Sequence, residues 1–326
     1  MSEYEGELTE LLNQLRESSG LLQKKDVQLI QRNLAEASPP SYPNGDDAAV
    51  IANDNGFDLL ASEGFMDQFV AADPWFAGWC GVMVNVSDIA AMGGAPVAVV
   101  NALWGGADER TEQLLQGMSA ASRAYGVPIV GGHTNLQCQD LRLSVSILGR
   151  AQQVLSSFAA QPGQQLVMAV DLRGQYQPPF NNWNASTGAP PQRLRDDIAL
   201  LPQIAQLQLA SAAKDISQAG VLGTCVMLLE SAQVGAHIKL DNMPRPDHVE
   251  WLQWLQTFPS FGYLLTCDAA DVAAVLAQFH HRDIAAAVIG DINDSGLCTV
   301  SWKNQSDLFW DIYSTPLTAM RNYGHA

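Results

Sequence analysis

Short apolar stretches rich in Val, Ile and Leu alternate with longer stretches of helical periodicity over most of this chain, from residue 46 to residue 289. Glycines stand at the ends of many apolar stretches, where tight turns or close backbone approach are needed. This alternation predicts strands packed against helices in an α+β fold. The predicted strands are 48–52, 57–61, 96–103, 127–130, 141–148, 165–170, 237–240, 261–267 and 284–289. The predicted helices are 4–17, 25–34, 74–92, 109–125, 192–212, 216–231, 247–258 and 270–281.

Two breaks divide this pattern into domains. A Pro- and Ser-rich segment covers residues 38–45, and Gln161-Pro162-Gly163 precedes a later strand. They predict a helical N-terminal extension over residues 1–40, an N-terminal domain over 41–155 and a C-terminal domain over 156–326. The Pro- and Asn-rich segment 177–191 is long for a loop, so we expect it to be either mobile or part of a binding lid.

The composition limits the classes of function. The chain has 326 residues, 47% of them hydrophobic, which is enough for a sizeable core and two domains. Lys and Arg number 17 against 34 Asp and Glu, and the net charge of −17 argues against a nucleic-acid partner. Acidic proteins that bind nucleotides usually place divalent cations between carboxylates and phosphates.

The cysteines and the N-terminus predict a cytoplasmic protein. The five cysteines lie far apart and form no C-x-x-C pair, so neither a zinc knuckle nor a disulfide framework is expected. The N-terminal residues MSEYEGELTELL are acidic and amphipathic, which does not match a signal peptide. No apolar run approaches the length that spans a bilayer, so no membrane partner is expected.

Common nucleotide and hydrolase motifs are absent. No lysine follows a glycine, which excludes a P-loop, and no G-x-G-x-x-G is present. The H-E-x-x-H and G-x-S-x-G motifs are missing as well. Any phosphate must therefore be held in another way.

Two acidic segments are candidate metal sites. Asp46 and Asp47 stand side by side ahead of a predicted strand, where they suit either a cation or an Asx turn. Asn85, Ser87 and Asp88 interrupt an otherwise apolar helix that ends in Gly-Gly. Burying Asp88 without a partner costs roughly 3–5 kcal/mol, so a cation or a donor must meet it. A local turn capped by Asp88 is the alternative.

Two further segments are candidate phosphate sites. VGGHT, residues 130–134, is expected to be a strand that runs into a glycine turn with free backbone N–H groups. His133 in that turn is a base, a metal ligand or a plain turn residue. KDISQAG, residues 214–220, is expected to open a helix, where Asp215 and Ser217 either cap the helix or bind an anion.

Taken in order, the segments GDDAAV, SEGF, NVSDIAAMGGAP, VGGHT and KDISQAG resemble the serial motifs of the aminoimidazole-ribotide (AIR) synthetase superfamily. Their wording is most similar to that of thiamine-monophosphate kinases, and hydrogenase-maturation dehydratases and selenophosphate synthetases are relatives. The resemblance covers about Gly20 to Ile292. It implies a ferredoxin-like N-terminal α/β domain that binds ATP and contributes its sheet to a dimer barrel, followed by a C-terminal α/β domain.

The resemblance also implies Mg-ATP as cofactor, a homodimer and a small-molecule phosphate acceptor. Together with the residue patterns, it gives three sets of candidates. The metal ligands are Asp46, Asp47, Asp88 and Asp215. The nucleotide contacts are Asn85, Ser87, Gly131, Gly132, Thr134, Lys214 and Ser217. The catalytic residues are His133 and Asp215.

Departures from the family motifs narrow the function. The usual G-G-D-T has His133 in place of its aspartate, which weakens one metal position or changes the metal. Residues 18–25 carry no cysteine and the chain ends in Ala326, which disfavours selenophosphate synthesis and hydrogenase maturation. Residues 62–66 keep only part of the kinases' V-E-G-x-H-F, so the substrate site is expected to differ.

Three hypotheses remain for the activity. The leading one is an ATP-dependent phosphotransferase or ATP-activating enzyme that acts on a small molecule. The second is a nucleotide-sensing or partner-binding protein that kept the fold and lost turnover. The third is thiamine-monophosphate kinase itself.

Overall fold

The computed structural model describes residues 6–34 and 44–320. Its helices are α1 (Glu7–Arg16), α2 (Ser19–Gln23), α3 (Val27–Leu34), α4 (Asp67–Ala72), α5 (Pro74–Ala91), α6 (Glu109–Tyr125), α7 (Pro191–Ile198), α8 (Leu200–Gln206), α9 (Gly220–Ala232), α10 (Trp251–Leu255) and α11 (Val272–His280). Its strands are β1 (Ala49–Asn53), β2 (Gly56–Gly64), β3 (Ala95–Gly106), β4 (Ile129–Asn135), β5 (Gln137–Ala151), β6 (Gln165–Val170), β7 (Gln175–Tyr176), β8 (Asn182–Asn184), β9 (Ala212–Asp215), β10 (Gly235–Lys239), β11 (Phe258–Pro259), β12 (Gly262–Cys267), β13 (Ala285–Asn293), β14 (Leu297–Trp302) and β15 (Gln305–Asp311). Within the described ranges, no helix is long and apolar enough to cross a membrane.

The chain forms two compact units. The first contains residues 47–154 and 188–206, and the second contains the described residues of 1–46, 155–187 and 207–326. Each unit combines a β-sheet with helices, which confirms the predicted α+β fold. The sequence predicted boundaries at residues 40 and 155, and the first of them lies outside the described residues. Helix α1 groups with the second unit because its leucines lie in that unit's hydrophobic core.

The first unit is built on a five-stranded sheet in the order β1-β2-β5-β3-β4. Strand β4 pairs in parallel with β3, and the other neighbours are antiparallel. Helix α5 covers one face of this sheet and is buried along almost its whole length. A Cβ added at Gly81 of α5 would lie 3.1 Å from the side chains of Leu143 and Val145, so the odd-numbered residues of β5 face the helix.

Helices α5 and α6 cross closely because each carries a glycine at the contact. A Cβ at Gly78 would lie 2.0 Å from the Leu114 carbonyl oxygen, and one at Gly117 would lie 1.9 Å from the Trp75 carbonyl oxygen. Only glycine allows the two backbones to approach this closely. The crossing fixes α5, and with it the polar residues that interrupt this helix.

The second unit is built on a seven-stranded sheet in the order β15-β14-β10-β13-β6-β12-β9. A small sheet, β11-β8-β7, lies in the same unit and includes part of the segment predicted as a long loop. Helix α9 is buried along nearly its whole length and, with the leucines of α1, forms much of the core. Strands β14 and β15 form a hairpin that the sequence pattern did not predict.

The predicted glycine turn at VGGHT is wrong. Strand β4 continues through these residues, and Gly131, Gly132 and His133 lie opposite Val100, Asn101 and Ala102 of β3. The glycines serve close pairing, because a Cβ at Gly132 would lie 2.2 Å from the Asn101 carbonyl oxygen. Periodicity alone could not distinguish a strand that ends at a glycine pair from one that passes through it.

The predicted helices at 192–212 and 216–231 also need correction. The first is two helices, α7 and α8, followed by strand β9, and the second begins only at Gly220. Lys214 and Asp215 therefore end a strand and do not open a helix. The Ala and Lys residues of this segment have high helix propensity, but β9 pairs with β12, and this tertiary contact outweighs the local preference.

Candidate functional site

The carboxylate of Asp46, in the second unit, lies among hydrogen-bond donors. Its Oδ2 accepts a bond from the Ser156 hydroxyl at 2.6 Å, and its Oδ1 accepts one from the Ser157 backbone N–H at 2.7 Å. The Ser157 hydroxyl also donates to Oδ1. Burial raises the pKa of Asp46, while the charge of Lys214 and the serine hydrogen bonds act in the opposite direction. Both carboxylate oxygens are thus engaged by the protein.

Lys214 and Asp215 lie at the carboxyl end of β9 in the same unit. Their exposed fractions are only 5% and 6%. The Lys214 ammonium is 3.5 Å from the Gly45 carbonyl oxygen, so this lysine reaches the loop that carries Asp46. The fold therefore brings Lys214 close to Asp46, although the two candidates are 168 positions apart in sequence. Asp215 directly follows Lys214.

Ser217 has a local role ahead of α9. Its hydroxyl accepts a bond from the Ala219 N–H at 3.3 Å, and its own N–H donates to the Thr224 hydroxyl at 3.0 Å. These bonds stabilise the turn between β9 and the helix, which matches the capping alternative. A contact between Ser217 and a nucleotide stays a prediction.

In the first unit, Asn85, Ser87 and Asp88 lie buried on α5, with exposed fractions of 0%, 8% and 4%. Asn85 and Asp88 are three residues apart and share one side of the helix. The Asn85 amide donates to the Gly81 carbonyl at 2.8 Å, but its Oδ1 accepts no hydrogen bond from any described residue. Such a buried acceptor is costly unless a water, a cation or a ligand meets it.

His133 lies on the other side of the sheet from this helix. His133 is opposite Ala102, and Ala102 is opposite Ser144, which belongs to the even-numbered face of β5. Residues directly opposite on paired strands share a face. His133 is exposed there, and its ring centroid is 6.3 Å from that of Trp104. Within the first unit, His133 and Asp88 are therefore separated by the sheet.

Thr134 lies beside His133 in β4, every residue of which is exposed. β4 is the last strand of its sheet, so within the described residues it has one neighbour, β3. Gly131 and Gly132 belong to that same edge strand. Strand β4 therefore does not form the phosphate cradle that was expected of a glycine turn.

In the part of the chain that the structure describes, the carboxylates do not form a closed metal cage. Among residues 6–34 and 44–320, no three Asp, Glu, His or Cys side chains group so as to hold a metal ion alone. Asp47 is half-buried in the first unit, directly after Asp46. Mg²⁺ commonly uses one or two carboxylates and takes its remaining ligands from water and phosphate. Any magnesium ion held by one of these aspartates would therefore take its other ligands from water or phosphate.

No sequence motif pointed to the two serines that bind Asp46. Ser156 and Ser157 stand outside all five motifs, and only the folded chain brings them to the aspartate. A cavity of about 490 Å³ in the first unit was equally unforeseen. Its lining includes Asn55, Phe57 and Arg150, and none of the predicted site residues borders it.

Comparison with known proteins gives consistent results along the chain. Residues 45–151 match the family model of the AIR synthase related protein, N-terminal domain, and residues 176–303 match that of the C-terminal domain. A Synechocystis protein of uncharacterized function is 42% identical over 316 residues, which is 95% of this chain and 98% of the relative. Thiamine-monophosphate kinase of Synechococcus elongatus is 25% identical over 306 residues, or 84% and 91% of the two chains.

A solved structure shows the same fold. It is PurL of Thermotoga maritima complexed with ADP, with a TM-score of 0.73 and 20% identity. The match covers 94% of this chain and 54% of that one, so this chain spans about half the length of PurL. The two family models match most of the chain in the expected order. This chain belongs to the AIR synthase-related protein family.

Proposed function

We propose that this chain binds Mg-ATP and uses it to phosphorylate or activate a small-molecule acceptor. The observation that carries the proposal is the buried polar side of α5, where the Asn85 Oδ1 lacks a hydrogen-bond donor and Asp88 lies one turn away. Buried polar groups on an otherwise apolar helix are tolerated when a ligand or cation supplies the contact that they lack. Two similar proteins support nucleotide binding: PurL, which was solved in complex with ADP, and a protein named thiamine-monophosphate kinase.

Magnesium would be held by few carboxylates and by the phosphates themselves. In the first unit the candidates are the buried Asp88 of α5 and the half-buried Asp47, and the second unit offers, separately, the buried Asp215 of β9. Once bound, the ion would neutralise phosphate charge, which a molecule with a net charge of −17 otherwise repels. The buried ammonium of Lys214 is a second source of positive charge.

The roles along β4 change because the strand has no glycine turn. Gly131 and Gly132 lose the geometry on which their phosphate contacts were based, whereas His133 and Thr134 remain exposed side chains that a ligand can reach. His133 as a catalytic residue remains a proposal. Because it lies on the face that α5 leaves uncovered, it would act on a ligand that approaches that face.

A homodimer is the proposed assembly. The sheet face opposite α5 carries the exposed apolar side chains of Leu60 and Val100, 48% and 41% exposed. They lie opposite Leu148 and Ser146 on the even-numbered face of β5. A second copy packed against this sheet face, next to the edge strand β4, would cover both the exposed apolar side chains and the open edge.

Turnover is tested by ATP consumption. We expect the protein to convert ATP to ADP with Mg²⁺ and an acceptor from a panel of small alcohols, acids and phosphate esters. Asp88→Asn, which is nearly isosteric, should remove this activity. If thiamine monophosphate is not phosphorylated while another acceptor is, the chain is not a thiamine-monophosphate kinase.

The second candidate function is an ATP-binding protein without turnover. His133 in the place of the family aspartate favours it, because an imidazole is a poor ligand for Mg²⁺. Stoichiometric ATP binding without consumption of ATP across the panel would support this candidate over the enzyme.

A further inference from the structure

The cavity of about 490 Å³ lies at one end of the five-stranded sheet, and its lining belongs entirely to the first unit. The β1–β2 turn, the start of β3, the end of β5 and helix α8 surround it. Ala95 of β3 lines the cavity, whereas Ala102, further along the same strand, lies opposite His133. The rise of a strand places the cavity about 20 Å from His133. The cavity is therefore separate from this exposed histidine.

Amide side chains that the protein itself does not use surround this cavity. Asn55 lies in the β1–β2 turn, Gln152 follows β5 and Gln206 ends α8. None of these three amides makes a side-chain hydrogen bond to a residue that the structure describes. Asn53 accepts from the Asn55 backbone N–H through its Oδ1 at 2.8 Å, which leaves its NH₂ group to donate. The amides thus offer both donors and acceptors to a ligand.

The charges at the cavity favour a neutral ligand. The Arg150 Nε donates to the Asp58 Oδ1 at 3.3 Å, so these two charges compensate each other. Asp54 lines the cavity as well and has no ion pair within residues 6–34 and 44–320. The remaining charge is negative, like the net charge of −17, so a phosphate or carboxylate ligand would be repelled. The guanidinium of Arg150 in turn opposes a cation.

Apolar side chains form the rest of the cavity wall. Phe57 is half-buried and lies opposite the buried Ala151 across the β2–β5 pair. Pro202 of α8 adds a second apolar surface. Small-molecule sites combine apolar walls with a few convergent polar groups. A sugar matches both features, because its hydroxyl groups donate and accept hydrogen bonds while the faces of its ring present C–H groups.

We propose that this cavity binds a neutral, hydroxyl-rich molecule the size of a mono- or disaccharide. Its hydroxyl groups bond to the amides of Asn55, Gln152 and Gln206, and its C–H groups lie on Phe57. The cavity volume of about 490 Å³ falls within the range of roughly 300–1,000 Å³ that small-molecule sites occupy. This binding requires neither Mg²⁺ nor a nucleotide, so it is independent of the proposed function.

Saturation-transfer NMR of the full chain without ATP tests the site with glucose, galactose, mannose, ribose, maltose and sucrose. We expect at least one sugar to bind with a Kd below about 10 mM. Gln152→Ala and Gln206→Ala should each weaken that binding about fivefold. Gln153→Ala and Gln203→Ala are the matched controls, because these exposed glutamines do not line the cavity. Binding of none of the six sugars, or equal effects of lining and control substitutions, would overturn the proposal.

Two further comparisons test the ligand class and the place of binding. The phosphate ester of the bound sugar should bind about tenfold more weakly than the sugar itself, because the cavity carries negative charge. Tighter binding of the ester would contradict a neutral ligand. Asp88→Asn, which addresses the proposed nucleotide site, should keep the wild-type Kd for the sugar. Sugar binding that is lost in this variant, or that requires Mg-ATP, would place the sugar outside this cavity and overturn the proposal.

Discussion

At the residue scale, buried polar side chains bring distant parts of this chain together. The fully buried carboxylate of Glu230 accepts bonds from the backbone N–H groups of Leu317, Thr318 and Ala319 and from the Thr318 hydroxyl, at 2.8–3.1 Å. The half-buried Asp46 and its serines likewise join segments 110 positions apart. The Glu230 carboxylate replaces lost water by fixed donors, so its loss leaves buried groups unsatisfied.

Glu230→Ala should therefore be strongly destabilising. We expect a loss of roughly 3 kcal/mol or more in the free energy of unfolding, because the buried N–H groups of Leu317 and Thr318 and the half-buried one of Ala319 lose their acceptor. Glu230→Gln keeps one carbonyl acceptor and should lose less. Urea unfolding measures both, and equal stability of wild type and Glu230→Ala would show that the carboxylate does not hold this segment.

The thiols should differ in reactivity. Cys138 is half-exposed and the other four cysteines are buried. Burial, with the charges of Asp271 and Asp268, raises the pKa of the Cys267 thiol to about 11, so almost no thiolate exists there at neutral pH. A thiol-reactive dye at pH 8 should label one site per folded chain and all five after unfolding in urea. Loss of the native label in Cys138→Ser would identify the site.

At the element scale, local signals predicted some boundaries and missed others. The predicted helix 109–125 matches α6 over its full length. In the structure the Asp108 carboxylate caps its start by accepting from the Thr111 N–H, and Gly126 follows its end. Strand β9 was missed because its pairing with β12 is distant in sequence. Ser156 and Ser157 were missed for the same reason, because they are distant in sequence from Asp46. Asp46 itself was predicted because it lies in a motif.

The two glycines of β4 should respond differently to substitution. Gly132→Ala places a methyl group 2.2 Å from the Asn101 carbonyl oxygen, whereas a Cβ at Gly131 meets nothing within 4 Å. We expect Gly132→Ala to lose about 2 kcal/mol in the free energy of unfolding and Gly131→Ala to change little. Thermal unfolding of the pair checks this. Similar stability of the two variants would contradict the close pairing of β3 and β4.

At the scale of the whole molecule, the exposed sheet face of the first unit is the feature that calls for a partner. Its apolar side chains lie on the face that α5 leaves uncovered, next to an edge strand that pairs on one side only among the described residues. Exposed apolar faces and open edges are normally covered in stable proteins. A second copy of the chain provides both kinds of contact at once.

Light scattering should accordingly give a dimer at micromolar concentration. Val100→Glu places a charge on the proposed interface and should shift the protein to monomers without unfolding it. Leu207→Glu is the matched control, because Leu207 is 60% exposed and lies in the second unit. A wild-type monomer, or dissociation by the Leu207 substitution alone, would contradict this assembly.

The most direct measurement is calorimetric titration of the protein with ATP in the presence and absence of Mg²⁺. The proposed site predicts saturable binding, with one ATP per chain, that requires Mg²⁺ and is lost in Asp88→Asn while the variant keeps its wild-type circular dichroism. Absence of binding by the wild-type protein, or equal binding by wild type and Asp88→Asn, would contradict it.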